Sequence, residues 1–230
     1  MHNFKRILII AAHPDDEILG CGGIISKFKK LDIKFKILFI AEGSSCRYEN
    51  YNSKEAKEAI ISRNNDAINS LIFNGIKDYD FLNLPCGRLD QVPIIEINKL
   101  IENQINKFNP DTIFTHSSDD CNNDHKIIYK STLMASRPTP KNKVRNVLTY
   151  EVLSSSEWNF NSNFSPNYFV SLEESDLNQK INSFNLYKTE VNHYPFPRSD
   201  EGIRNMAKIR GMQVGIKFAE AFKLVRSIVL

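Results

Sequence analysis

Apolar residues fall along the chain in two alternating rhythms. "RILIIAA" (6–12) and "FKILFIA" (35–41) are short, β-branched runs, the composition of strands buried on both faces. Between them Ile24, Ile25, Phe28 and Leu31 recur at helical spacing. That order predicts a strand–helix–strand unit, with a parallel pair joined by a right-handed crossover. A second helix is expected over 54–73, with Ala56, Ile60, Ala67, Ile68 and Leu71 on one side, followed by a strand over 78–84. "PIIEINKLIENQINKF" (93–108) carries one stripe of Ile94, Ile97, Ile101, Ile105 and Phe108, and Pro93 suits a first helical turn. "DTIFTH" (111–116) is a fourth strand, and a helix follows from near Asp124 to Ser136.

The last third is less regular. "NVLTYEV" (146–152) and "YFVSL" (168–172) read as strands, Ser175 and Ser199 as N-caps of two helices, and "KLVRSIVL" as a closing strand or tail. The alternation predicts an α/β protein with an open, mostly parallel, Rossmann-like sheet flanked by helices. With no repeat and no clean linker, residues 1–230 are expected to form a single domain.

Composition changes this picture little. The 230 residues are 41% hydrophobic and 25% charged, and 30 basic against 27 acidic side chains leave a net charge of +3. That balance is too mild to imply nucleic acid. No apolar run approaches the roughly 18 residues of a membrane helix. The apolar start is short and runs into "HPDDE" rather than a small-residue cleavage site. Cys21, Cys46, Cys86 and Cys121 are dispersed with no CxxC pair, which fits a reducing compartment and argues against a cysteine zinc site. A cytoplasmic protein is expected, and a homo-oligomer is compatible with the pattern.

Chemistry concentrates at two strand ends, where open α/β sheets bind ligands. "HPDDE" follows the first strand and "HSSDDCNNDH" (116–125) begins at the end of the fourth, and these hold three of the five histidines. The glycines of "AAHPDDEILGCGG" (11–23) invite a dinucleotide reading. Yet Gly20, Gly22 and Gly23 miss the G-x-G-x-x-G spacing, and Asp15, Asp16 and Glu17 would face a pyrophosphate with like charge. Three carboxylates beside a histidine suit a cation instead. His13 and Asp16 lie three apart on one tight turn and can converge on one ion, with His125 the best candidate for a third ligand. Two imidazoles, one carboxylate and an open position describe a catalytic zinc site. Asp15 is then free to act as a general base. Acids at a helix N-terminus are also stabilising without any ion. It is the second cluster that tips the reading toward metal.

At these residues the chain resembles the PIG-L, or LmbE-like, family of zinc-dependent N-acetylglucosaminyl deacetylases. "AAHPDDEILGCGG" is similar to its signature and "THSSDDCNNDHK" to its second motif; "LPCGRLD", "YEVLSS" and "RGMQVGIKFAEAF" are similar to further family segments. The resemblance implies zinc, or another divalent transition metal, on His13, Asp16 and His125. It also implies Asp15 as base, and an N-acetylated amino sugar conjugate as the small-molecule substrate. It further implies that Arg63 reaches the substrate, although the residues alone favour a solvated helix position. One position departs from the pattern. Many members have a histidine three residues before the last ligand, where this chain has Asn122. An amide can donate to an oxyanion but cannot serve as an acid. His116 or His193 would then help, or Asp15 would carry the proton both ways. His193 is equally a loop residue or a substrate contact, and Asp124 is a candidate for orienting a metal ligand. Two other readings remain: hydrolysis of another small amide, and a metal-dependent sugar-binding protein without turnover.

Overall fold

The computed structural model describes residues 4–140 and 142–229. The chain runs β1 (Arg6–Ala11), α1 (Asp16–Phe28), β2 (Lys34–Ala41), α2 (Lys54–Phe73), β3 (Tyr79–Leu84), α3 (Ile94–Phe108), β4 (Thr112–His116), α4 (Asn123–Ala135), β5 (Asn146–Tyr150), β6 (Tyr168–Ser171), α5 (Glu174–Phe184), α6 (Asp200–Met212) and β7 (Ala219–Arg226). The seven strands form one sheet in the order β3-β2-β1-β4-β5-β7-β6. β1 to β5 are parallel, and β7 runs antiparallel between β5 and β6. The strand order reverses between β1 and β4, which makes their carboxyl ends the switch point where such sheets place ligands.

Both faces of the central strands are covered, as their unbroken apolar runs require. Ile7, Ile9 and Ala11 of β1 point to a layer built from α1, α2, α5 and α6. Leu8 and Ile10 point to the other layer, where Ile97, Ile101, Ile105 and Phe108 of α3 meet Ile128 of α4. Of the expected α3 stripe only Ile94, the first residue of the helix, is exposed.

Several expectations are corrected. Leu31 is exposed and lies past the end of α1, so it is not part of that helix's buried face. Helix α5 begins before Ser175: its cap is Glu173, whose carboxylate accepts from the backbone of Asp176 while the Asp176 side chain reaches back, a reciprocal capping box. Ser199 does cap α6, accepting from Gly202 N at 3.1 Å. The last strand starts at Ala219, four residues before "KLVRSIVL", and Leu230 lies outside the described residues. Among the described residues, no helix is long and apolar enough to cross a membrane.

The glycines of "GCGG" serve packing. An added Cβ at Gly20 would enter the ring of Tyr150 on β5; at Gly22 it would meet Lys180 Cγ at 2.7 Å, and at Gly23 Leu172 Cδ1 at 2.5 Å. Bare backbone here also lets charged groups reach the helix. Glu220 accepts from Gly23 N at 2.9 Å and Ile24 N at 2.8 Å, and Lys180 Nζ donates to Leu19 O at 2.7 Å. Gly20→Ala should therefore destabilise the fold by about 1–3 kcal/mol, the usual cost of overpacking a core. Urea denaturation checks this, and an unchanged midpoint would mean that Tyr150 has room to move.

Candidate metal and active site

β1 ends at Ala11, and the chain turns over His13 and Pro14 into α1. The turn is unusual at Asp15, whose φ is +123°, a region L-residues rarely enter and one that is often strained for function. It separates two adjacent carboxylates. Asp16 faces a group of histidines, and Asp15 faces arginines.

On the Asp16 side, the imidazoles of His13, His116 and His125 converge on Asp16 Oδ2 at 3.5, 3.4 and 3.4 Å. His13 and His125 are each oriented from behind by another carboxylate. His13 Nε2 donates to Asp124 Oδ2 at 3.0 Å, which leaves Nδ1 toward Asp16. His125 Nδ1 lies 3.2 Å from Asp120 Oδ2, leaving Nε2 toward Asp16. Asp120 is itself held by the hydroxyls of Ser155 and Ser156. Such carboxylate–histidine pairs fix the tautomer and ring angle of metal-binding imidazoles.

His116 differs. Its Nε2 accepts the backbone N–H of Ala12 at 2.8 Å, so that nitrogen carries no proton. Burial, then the neighbouring His125, pushes its pKa down to about 3. It is a neutral, fully buried anchor for the end of β1.

His13, Asp16 and His125 each offer a ligand atom, all within 4.8 Å of one another. Asp16 Oδ1 and His125 Nε2 are buried and have no hydrogen-bond partner among the described residues. The electrostatics also favour positive charge at this point. Burial raises the Asp16 carboxyl, but His125 and His116 outweigh it and hold it well below the usual range. Burial would lower His125, yet Asp16 and Asp120 lift it to about 10. His13, Cys86 and Asp124 form a second group of the same compactness. There, however, His13 Nε2 is already hydrogen-bonded to Asp124. The orphaned atoms belong to the first group, and its donors fit a zinc-like ion with two imidazoles and one carboxylate. Cys46 and Cys86, 40 residues apart in sequence, come together with their Sγ atoms 3.1 Å apart.

On the Asp15 side, Oδ1 pairs with Arg63 Nη2 at 3.0 Å and Oδ2 with Arg198 Nη1 at 2.8 Å. Glu190 completes the group, meeting Arg63 at 3.1 Å and Arg47 and Arg198 at 2.9 Å each. Burial lifts Asp15 to about 6, even against the opposing pull of Arg198 and Arg63. Arg63 is buried, not solvated: Nε donates to Pro14 O at 2.9 Å and Nη1 to Gly43 O at 2.5 Å. The preference for a solvated helix position is thus overturned, because α2 lies directly over the His13–Asp15 turn.

Asn122 caps α4, its Oδ1 accepting Asp124 N at 2.9 Å, which leaves the amide nitrogen as its unused donor. His193 is exposed on the loop that leads to Arg198. Sequence reasoning missed Arg198 and Glu190 as partners of Asp15 and Arg63. It also did not single out Asp120 as the group behind His125. Asp120 had a signal, being five residues before a candidate ligand in an acidic loop. Arg198 and Glu190 had none, since they lie in the irregular last third.

Residues 8–136 match the model of a protein family described as PIG-L, GlcNAc-PI de-N-acetylase. The uncharacterized deacetylase YaiS of Escherichia coli (strain K12) is 27% identical over 191 residues, covering 80% of this chain and 91% of that protein. N,N'-diacetylchitobiose deacetylase from Pyrococcus horikoshii shares the fold with a TM-score of 0.79 at 19% identity, over 97% of this chain and 85% of that one. GalB, the 4-carboxy-2-hydroxymuconate hydratase from Pseudomonas putida KT2440, does so with a TM-score of 0.75 at 16% identity, over 98% of both chains. One fold thus carries a deacetylase and a hydratase, so the site has to decide the reaction.

The arginine group gives a stability prediction. Glu190→Gln leaves Arg63 and Arg198 with Asp15 as their one carboxylate and takes the carboxylate partner from Arg47, and removing one partner of a buried ion pair costs about 3–5 kcal/mol. Urea unfolding at neutral pH should show a loss of that size. A loss below about 1 kcal/mol would mean that water, not Glu190, balances these arginines.

Proposed function

The chain belongs to the PIG-L family of deacetylases, and from that premise we propose that it is a metal-dependent N-deacetylase acting on an N-acetylated amino sugar or its conjugate. The observation that carries the reading is Asp15. A protein that only binds sugar has no need of a buried carboxylate beside the metal ligands that is not itself one of them. Here that carboxylate is held on a strained turn by two arginines, and its pKa of about 6 suits a base working near neutral pH.

His13, Asp16 and His125 would hold the ion, zinc or another divalent transition metal. When bound, it supplies Lewis acidity to a carbonyl oxygen and acidifies water. Asp124 and Asp120 keep the two imidazoles turned toward it. Asp15 takes the proton of the attacking water and returns it to the departing amine. Arg63 and Arg198 hold the Asp15 carboxylate in place through this exchange, and Arg63 meets the substrate through Asp15. The Asn122 amide nitrogen donates to the oxyanion. The products are acetate and a free amine, so a neutral amide gives two ions.

The test is an acetate-release assay over N-acetyl sugar conjugates, with metal quantified in the same samples. Asp15→Asn should keep about one ion per chain and lose activity by the 10²–10⁴-fold typical of a general base. His125→Ala should lose the ion as well. Full metal occupancy in His125→Ala, or wild-type turnover in Asp15→Asn, would overturn the assignment.

Because Asn122 is also a helix cap, alanine there removes two things at once. Asn122→Ser keeps a cap acceptor and withdraws the amide donor. It should retain the stability that Asn122→Ala loses, about 1 kcal/mol, while both variants lower kcat by about 10²–10³-fold. Unchanged kcat in Asn122→Ser would confine Asn122 to capping.

A further inference from the structure

Two loops outside the family-matched segment are rooted in the site and end in aromatic side chains. In the first, Ser155 and Ser156 hold Asp120 behind His125, and two residues on stands Trp158. In the second, Arg198 holds Asp15, and two residues before it stands Phe196. Arg198 Nε also donates to Leu153 O at 3.3 Å, tying the second loop to the base of the first. Two residues of chain span at most about 7 Å, so both aromatic positions lie one sugar ring's reach from groups that orient Asp15 and His125. Their rings meet edge to face, with centroids 5.9 Å apart at 74°. Yet Trp158 is 44% exposed and Phe196 38%. An aromatic pair left open on two loops tied to Asp15 and Asp120 is a candidate ligand contact.

We infer that Trp158 and Phe196 form an accessory subsite for the sugar ring next to the one deacetylated; this rests on the deacetylase reading above. The surroundings favour a sugar over an alkyl chain. Exposed Asn161 lies three residues after Trp158 and exposed His193 three residues before Phe196, while Asn159 braces the first loop by donating to Asp119 O at 3.1 Å and Ser162 Oγ at 2.8 Å. A pyranose presents a face of C–H bonds inside a rim of hydroxyls. It matches a small aromatic pair set among hydrogen-bonding side chains, whereas an alkyl chain needs a continuous apolar groove.

Trp158 is the chain's single tryptophan, so its fluorescence reports on the subsite independently of turnover. A β-linked N-acetylglucosamine disaccharide should shift or quench the emission, in metal-free as in metal-loaded protein, and N-acetylglucosamine should do so far less. Trp158→Ala should raise KM for the disaccharide about tenfold relative to the monosaccharide with kcat kept, the sign of binding lost equally in ground and transition states. Trp158→Tyr should restore most of it. No emission change at disaccharide concentrations that saturate acetate release would overturn the subsite. So would a response to an octyl N-acetylglucosaminide alone, or a ligand-free emission that changes with protein concentration as a second copy covers the pair. An emission response without acetate release from any sugar would sink the deacetylase reading and leave the sugar subsite standing.

Discussion

The site depends on one backbone torsion. Asp15 and Asp16 are adjacent carboxylates, both fully buried, and two like charges side by side in a dry interior are untenable unless each finds its own counter-charge. The φ of +123° at Asp15 turns them apart, one toward three imidazoles and the other toward two guanidinium groups. In the proposed mechanism the same division separates ion binding from proton transfer. Were the turn relaxed to an ordinary helical entry, both acids would compete for one set of partners.

This arrangement explains why the chain is built across a topological switch point. The β1 end supplies His13, Asp15 and Asp16, while the β4 end and the loop after it supply His116, Asp120, Asn122, Asp124 and His125. They face each other because β1 and β4 are hydrogen-bonded neighbours although about a hundred residues apart in sequence. The C-terminal third closes the other side. Its antiparallel strand β7 brings Glu220 onto the α1 backbone, and the segment before α6 brings Arg198 to Asp15 and Glu190 to Arg63 and Arg198. That region lies outside the family-matched segment, yet it provides half of the charge balance of the proposed base.

The glycines show how one pattern can serve different physics. In a dinucleotide loop they clear space for phosphate. In this chain they clear space for Tyr150, Lys180 and Leu172. Tyr150 in turn donates to Ile10 O at 2.8 Å and lies 3.2 Å from His116 Nε2, so the packing of α1 and the end of β1 are set together.

The sequence by itself determined the parallel α/β core, because strands buried on both faces must be continuously apolar and the helices between them must carry one apolar stripe. It also determined the grouping of His13, Asp16 and His125, since a cluster of acids and imidazoles at strand ends reads locally. Tertiary structure alone decided what surrounds them. The burial of Arg63, its pairing with Glu190, the pairing of Asp15 with Arg198 and the meeting of Cys46 with Cys86 are contacts between distant segments. None leaves a period or a spacing along the chain, and an arginine on a polar helix face reads the same whether it meets water or a buried carboxylate. Only the packing of α2 and the last third over the His13–Asp15 turn tells the two apart.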